Sequence, residues 1–97
     1  MPKYLGLFNW TDAGMRSAKD TVTRARASRE EFKAPGIRME QIYWALGPYD
    51  IVVMFEAPDD EAIVKAKLAS IAKGNLRWTM MRLFDEVEMG RLVQQLA

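Results

Sequence analysis

Asp50 is the residue of this chain best suited to move a proton. It follows Gly47-Pro48-Tyr49 and precedes the apolar run Ile51 to Phe55, so its carboxyl stands beside a turn at the start of a strand. Burial there disfavours the charged form and a neighbouring Arg77 or Arg82 favours it, the two influences that make a carboxyl a general acid or base. Tyr49, next to it, is the candidate proton-transfer partner. The same carboxylate equally suits a structural part, accepting backbone or tyrosine hydrogen bonds that fix a hairpin. Both roles stay open on sequence.

Binding chemistry is offered by a second group. Tyr43 and Trp44, with Tyr49, supply flat aromatic surface and hydroxyl donors for a planar ligand, or ordinary core packing. Arg82 shares a strand face with Met80 and Phe84, and a guanidinium among apolar neighbours requires a partner. A ligand anion and an ion pair across a dimer both answer that need. Arg77, on the other face of the same strand, and Asn9, at the end of the first strand, complete the candidate ligand-binding residues.

The chain has no Cys and no His, which removes thiol nucleophiles, imidazole bases, disulfides and the usual ligands of zinc, copper and haem. The acidic clusters Asp59-Asp60-Glu61 and Asp85-Glu86-Glu88 fall at predicted helix starts, where capping and the helix dipole explain them. No metal site and no cofactor are expected. Gly-rich phosphate loops and Ser-His-Asp sets are absent.

Lys plus Arg is 14 against 13 Asp plus Glu, so the net charge of +1 creates no field for nucleic acid or anionic lipid. The basic residues of the first helix, Arg16, Lys19, Arg24, Arg26 and Arg29, are spread round its faces and interrupted by Asp20, Glu30 and Glu31, as on a solvated surface. Met-Pro-Lys leads straight into a strand-like segment without a signal core. No apolar run approaches the roughly 18 residues of a membrane helix. A cytoplasmic protein with neither nucleic-acid nor membrane partner is the expectation.

The elements that position these residues follow from periodicity. At 97 residues the chain suits one domain, spanning 1–97. Tyr4 to Asn9 predicts a strand, with Thr11 or Asp12 capping the helix that follows. Met15, Ala18, Val22, Ala25 and Phe32 then mark one face of a single helix from Asp12 to about Lys33, stopped by Pro35-Gly36. Ile37 to Leu46 and Ile51 to Phe55 predict an antiparallel hairpin about Gly47-Pro48, the second strand central and the first an edge. Asp59 opens a small-residue helix ending at Lys73-Gly74; Leu76 to Phe84 is a fourth strand; Asp85 and Glu88 form a capping box for a short terminal helix. The order β-α-β-β-α-β-α predicts an α+β ferredoxin-like plait with a four-stranded antiparallel sheet and an extra C-terminal helix.

Two helices cover only one face of such a sheet. Leu76, Trp78, Met80, Arg82 and Phe84 oppose Arg77, Thr79, Met81 and Leu83 on the fourth strand, and both sets are substantially apolar. A second copy packed sheet to sheet is the expected cover, with Met80 a test position. The alternative is a monomer whose terminal helix folds over its own open face.

The chain resembles the GYD domain family of small bacterial ferredoxin-like proteins, named for a Gly-x-Tyr-Asp signature that reads here Gly47-Pro48-Tyr49-Asp50. The likeness extends through Asn9-Trp10-Thr11 with Gly14, Lys19-Asp20-Thr21, Ile42-Tyr43-Trp44, Glu56-Ala57-Pro58-Asp59-Asp60-Glu61 and Gly74-Asn75-Leu76-Arg77 to Leu83-Phe84. It implies the plait and a relation to dimeric α+β barrels, in which two sheets enclose a cavity. It implies no activity and no catalytic residue. Trp78 and Met80 stand where such proteins often carry small hydroxylated residues, which argues against a roomy polar cavity.

Two functions fit. The leading one is a non-catalytic homodimeric module binding a small-molecule ligand or a partner protein. The other is a cofactor-free enzyme of the dimeric-barrel type, an isomerase or oxygenase-like protein acting on an aromatic or polyketide-like substrate, with Asp50 and a tyrosine transferring protons. An enclosed pocket holding Asp50 and an arginine would separate them.

Overall fold

A computed structural model describes residues 1–96. Four strands, β1 (Lys3–Trp10), β2 (Arg38–Trp44), β3 (Ile51–Glu56) and β4 (Leu76–Leu83), form one antiparallel sheet in the order β2-β3-β1-β4. The helices are α1 (Asp12–Arg16), α2 (Thr21–Lys33), α3 (Asp60–Ile71) and α4 (Glu86–Gln94). This is the ferredoxin-like plait with a C-terminal helix. The apolar run Ile51 to Phe55 lies inside the sheet, between β2 and β1, as its lack of polar residues requires.

Register sorts each strand into two faces. Tyr4, Gly6 and Phe8 of β1 stand opposite Phe55, Val53 and Ile51 of β3 and Arg82, Met80 and Trp78 of β4, and this face meets α2 and α3. Its side chains form the core with Phe32, Ile37, Met39, Ala57, Ile63 and Ala66. The indole of Trp78 stacks on Phe55, with ring centroids 5.8 Å apart and planes at 15°, and meets Phe8 edge-on at 4.7 Å. Met80 packs against this core rather than pointing away from the helices, so it is Met81 that belongs to the open face.

The single helix expected from Asp12 to Lys33 is three pieces: α1, a 3₁₀ turn at Ala18–Asp20, and α2. Ser17 breaks it, leaving the helical region at φ −116° and ψ 29°. Its hydroxyl donates to the Ala13 carbonyl and accepts from Arg24 Nη1, the competition with backbone bonding that makes serine a poor interior helix residue. The thirteen residues of α2 span about 20 Å. Met15 and Val22, assigned to the buried stripe, are instead 58% and 44% exposed.

Two glycines are structurally required. Gly36 ends α2 at φ +84°, its N–H bonded to the Lys33 carbonyl while Ile37 N–H returns to Phe32 O. Gly14 is buried in α1, where a Cβ would lie 2.2 Å from the Asn75 carbonyl oxygen. At the other termini, Thr11, Asp59 and Asp85 cap α1, α3 and α4, and Asp85 with Glu88 completes the capping box.

Candidate functional site

Asp50 is the hub of a small hydrogen-bonded joint. The β1–β3 pairing ends at Phe8 and Ile51, which would leave the next N–H of β1 without a strand partner. Asp50 Oδ2 accepts that N–H, from Trp10, at 3.0 Å. Its own N–H donates to the Phe8 carbonyl at 2.9 Å, and its carbonyl accepts from Ala45 N–H at 2.9 Å. Asn9 Nδ2 adds a bond to the Pro48 carbonyl at 3.0 Å. The aspartate of the Gly-x-Tyr-Asp segment thus extends the ladder with its side chain and pins the hairpin loop to the end of β1. Among the described residues no tyrosine hydroxyl, Tyr49 included, is hydrogen-bonded to it.

The other candidates are dispersed. Tyr43 lies on the open face of the sheet, 59% exposed, while Trp44 turns to the helix side and donates from Nε1 to Thr21 Oγ1 at 3.0 Å. Arg77 pairs opposite Asn9 on the open face. Arg82 pairs opposite Tyr4, six residues along β1 from the Trp10 that Asp50 holds, a separation of about 20 Å, and on the helix-covered face. At that separation Asp50 and Arg82 do not share a site.

The partner of Arg82 lies within its own chain. Its guanidinium reaches Glu88 of α4 at 3.4 Å, sits 4.4 Å over the Phe84 ring and 5.7 Å from the Tyr4 ring, and donates to the Leu83 carbonyl. Beside it, the buried Tyr4 hydroxyl donates to Asp60 Oδ1 at 2.5 Å, tying β1 to the start of α3. Burial first, and this bond to a carboxylate second, push the Tyr4 pKa up to about 12. No local signal announces this contact, because the partners are 56 positions apart.

The open face has its own pattern. Its middle carries Leu5, Leu7, Val52 and Met54, flanked by Met81 and Thr79 on one edge and Tyr43 on the other. At one end Lys3 Nζ and Arg38 Nη2 each approach Glu40 at 3.2 Å, and Arg38 also reaches Glu56 at 3.4 Å. Glu40 occupies the irregularity between Met39 and Gln41, a bulge that nothing in the residue pattern announces. Burial works to raise its pKa, but hydrogen bonds from Arg38 and Lys3 outweigh that and hold it below the usual carboxylate range. Asn9, Arg77 and the Asp50 joint bound the opposite end.

The terminal helix does not cover this face. No residue of α4 is buried, and Val87, Met89, Leu92 and Val93, with Leu96 just beyond, are 42–76% exposed. Met89, Leu92, Val93 and Leu96 recur at the spacing of one helical side. The chain therefore presents two apolar surfaces, one on the sheet and one on α4.

A cavity of about 160 Å³ lies between α2 and the sheet, walled by Phe8, Phe32, Phe55 and Trp78 among others; none of Asp50, Tyr49, Arg82, Arg77, Tyr43, Trp44 or Asn9 lines it. Among the described residues no cluster of carboxylates is arranged to hold a metal ion, and no helix is long and apolar enough to cross a membrane.

A family model for the GYD domain matches residues 4–93. The glutamine synthetase and cystathionine beta-lyase binding protein of Thermus thermophilus is 30% identical over 78 residues, covering 79% of this chain and 82% of that relative. No solved structure matches.

Proposed function

We propose that this chain, which belongs to the GYD domain family, is a non-catalytic, cytoplasmic binding module that pairs with a second copy and docks onto a partner protein. The observation that carries this reading is the presence of two apolar surfaces, the open sheet face and the α4 stripe, that nothing among the described residues covers.

The sheet face suits a second copy. Its apolar middle is bounded by Lys3, Arg38, Glu40 and Glu56 at one end and by Asn9, Asp50 and Arg77 at the other, so each end carries both signs of charge. Such a face laid on itself about a two-fold axis joins apolar rows and keeps both polar ends at the rim. The α4 stripe then remains for the partner protein, in the manner of an amphipathic helix entering a groove. The name of the Thermus thermophilus relative, a binding protein for two enzymes, supports a protein partner. The engagement of Asp50 with Trp10 N–H, and its separation from the interior cavity, favour binding over proton-transfer chemistry.

The test uses purified glutamine synthetase and cystathionine beta-lyase from the source organism. Light scattering of the chain alone should give twice the 11.1 kDa chain mass, and sedimentation with each enzyme should show a complex. A chain ending at Phe84 should keep the dimer and lose the complex. A monomer at high micromolar concentration, or no association with either enzyme, counts against the reading.

A further inference from the structure

We propose that the cavity between α2 and the sheet binds a small aromatic carboxylate, its ring held by Phe8, Phe32, Phe55 and Trp78 and its carboxylate by Arg24. This goes beyond the docking function above and belongs to each single copy.

Charge is the first argument. Arg24 and Lys73 line the cavity and no Asp or Glu does. Lys73 is already taken, its Nζ 2.7 Å from Glu31. Arg24 forms no salt bridge among the described residues; Nη1 donates to Ser17 Oγ at 2.8 Å, while Nη2 is buried and has no partner among them. Arg24 as a residue is half-buried, but a guanidinium nitrogen buried without an acceptor is costly, and a carboxylate matches the planar fork better than any neutral acceptor.

Hydrogen bonding is the second. Of the three tryptophans, Trp44 donates to Thr21 and Trp78 donates to Ser70 Oγ at 3.2 Å, but the buried Nε1 of Trp10 has no acceptor among the described residues. Trp10 lines the same cavity. The protein thus supplies two unsatisfied donors, Arg24 Nη2 and Trp10 Nε1, and a ligand bearing acceptors is what they lack.

Size and shape set the rest of the ligand. An apolar cavity of about 150 Å³ is enough to take up benzene. The present one is of that order, about 160 Å³, and its walls are aromatic rings meeting edge to face and stacked. One ring fits, and a charged substituent directed to Arg24 makes the class a benzoate-like acid.

Titration of the full chain with benzoate and with benzamide, its neutral counterpart of similar shape, tests this by calorimetry and by amide shifts in nuclear magnetic resonance. Benzoate should bind at least about tenfold more tightly than benzamide, with shifts concentrated in α2, Phe8 and Trp78. Arg24→Gln should abolish the preference, and Ala25→Leu, which narrows the cavity, should weaken both ligands. Equal affinity for the two ligands on the native chain, shifts confined to the open sheet face, or a cavity taking up water only would each overturn the proposal. Because the native comparison needs no variant, failure of Arg24→Gln to fold leaves the proposal decidable.

Discussion

The carboxylate of Asp50 accepts the backbone N–H of Trp10 at 3.0 Å, where the paired register of β1 and β3 has just ended. A side chain there does what a strand carbonyl would do. Asn retains an acceptor oxygen and Ala does not, so the two substitutions separate charge from hydrogen bonding. Asp50→Asn should cost less than about 1 kcal/mol and Asp50→Ala about 2 kcal/mol, the range for a hydrogen bond to a charged group. Urea unfolding of both variants checks this; equal losses would show that the acceptor role is not what the aspartate supplies.

Tyr4 sets an alkaline limit on stability. Its folded pKa of about 12 exceeds the ordinary 10.0, so the unfolded chain ionises first. The stabilisation is complete below pH 10 and is lost as the pH rises toward about 12, amounting to about 3 kcal/mol over two units. Tyr4→Phe removes this dependence, and its stability should fall less steeply through that window. In a difference titration of ultraviolet absorbance, the component missing from the variant should have its midpoint near 12.

Met80 and Met81 are adjacent yet face opposite ways. Met81→Lys should dissociate the proposed dimer and leave the melting temperature of the monomer nearly unchanged, since Met81 is 44% exposed in the single chain. Met80→Lys places a charge against the core and should destabilise the fold by about 2 kcal/mol or more. Light scattering and thermal melting on the same two proteins distinguish the effects. A dimer that survives Met81→Lys would argue for another interface.

Gly14→Ala tests the contact between α1 and the loop before β4. The added Cβ would come within 2.2 Å of Asn75 O, the same carbonyl that accepts Thr11 N–H at 3.1 Å. Relief requires moving backbone, with an expected loss of about 1–3 kcal/mol. Chemical denaturation measures it, and an unchanged midpoint would mean that the loop yields freely.

What could be foreseen from residue order was governed by neighbours in the chain. The capping box Asp85–Glu88, the stop at Gly36, the hairpin about Gly47-Pro48 and the interior place of Ile51 to Phe55 are all local chemistry, and all stand in the fold. Apolar periodicity does not show the break at Ser17, because it ignores the hydroxyl's competition for backbone bonds. The face shared by β3 and β4 side chains depends on how each registers with β1, a pairing distant in sequence, so Asp50 and Arg82 could be suspected individually but not located relative to each other. Arg24 carries no signal among so many basic residues; only its buried, unpartnered Nη2 sets it apart.

The nine residues of α4 are fewer than the roughly 12–15 an isolated helix needs in water, and Gly90 weakens them by about 1 kcal/mol more. Beyond its capping box, the Arg82–Glu88 pair is an ion pair tying that segment to the plait. If a partner protein takes up the α4 stripe as proposed, its binding would favour the fully wound helix by mass action. Helical ellipticity from this segment would then report how much of the chain is engaged.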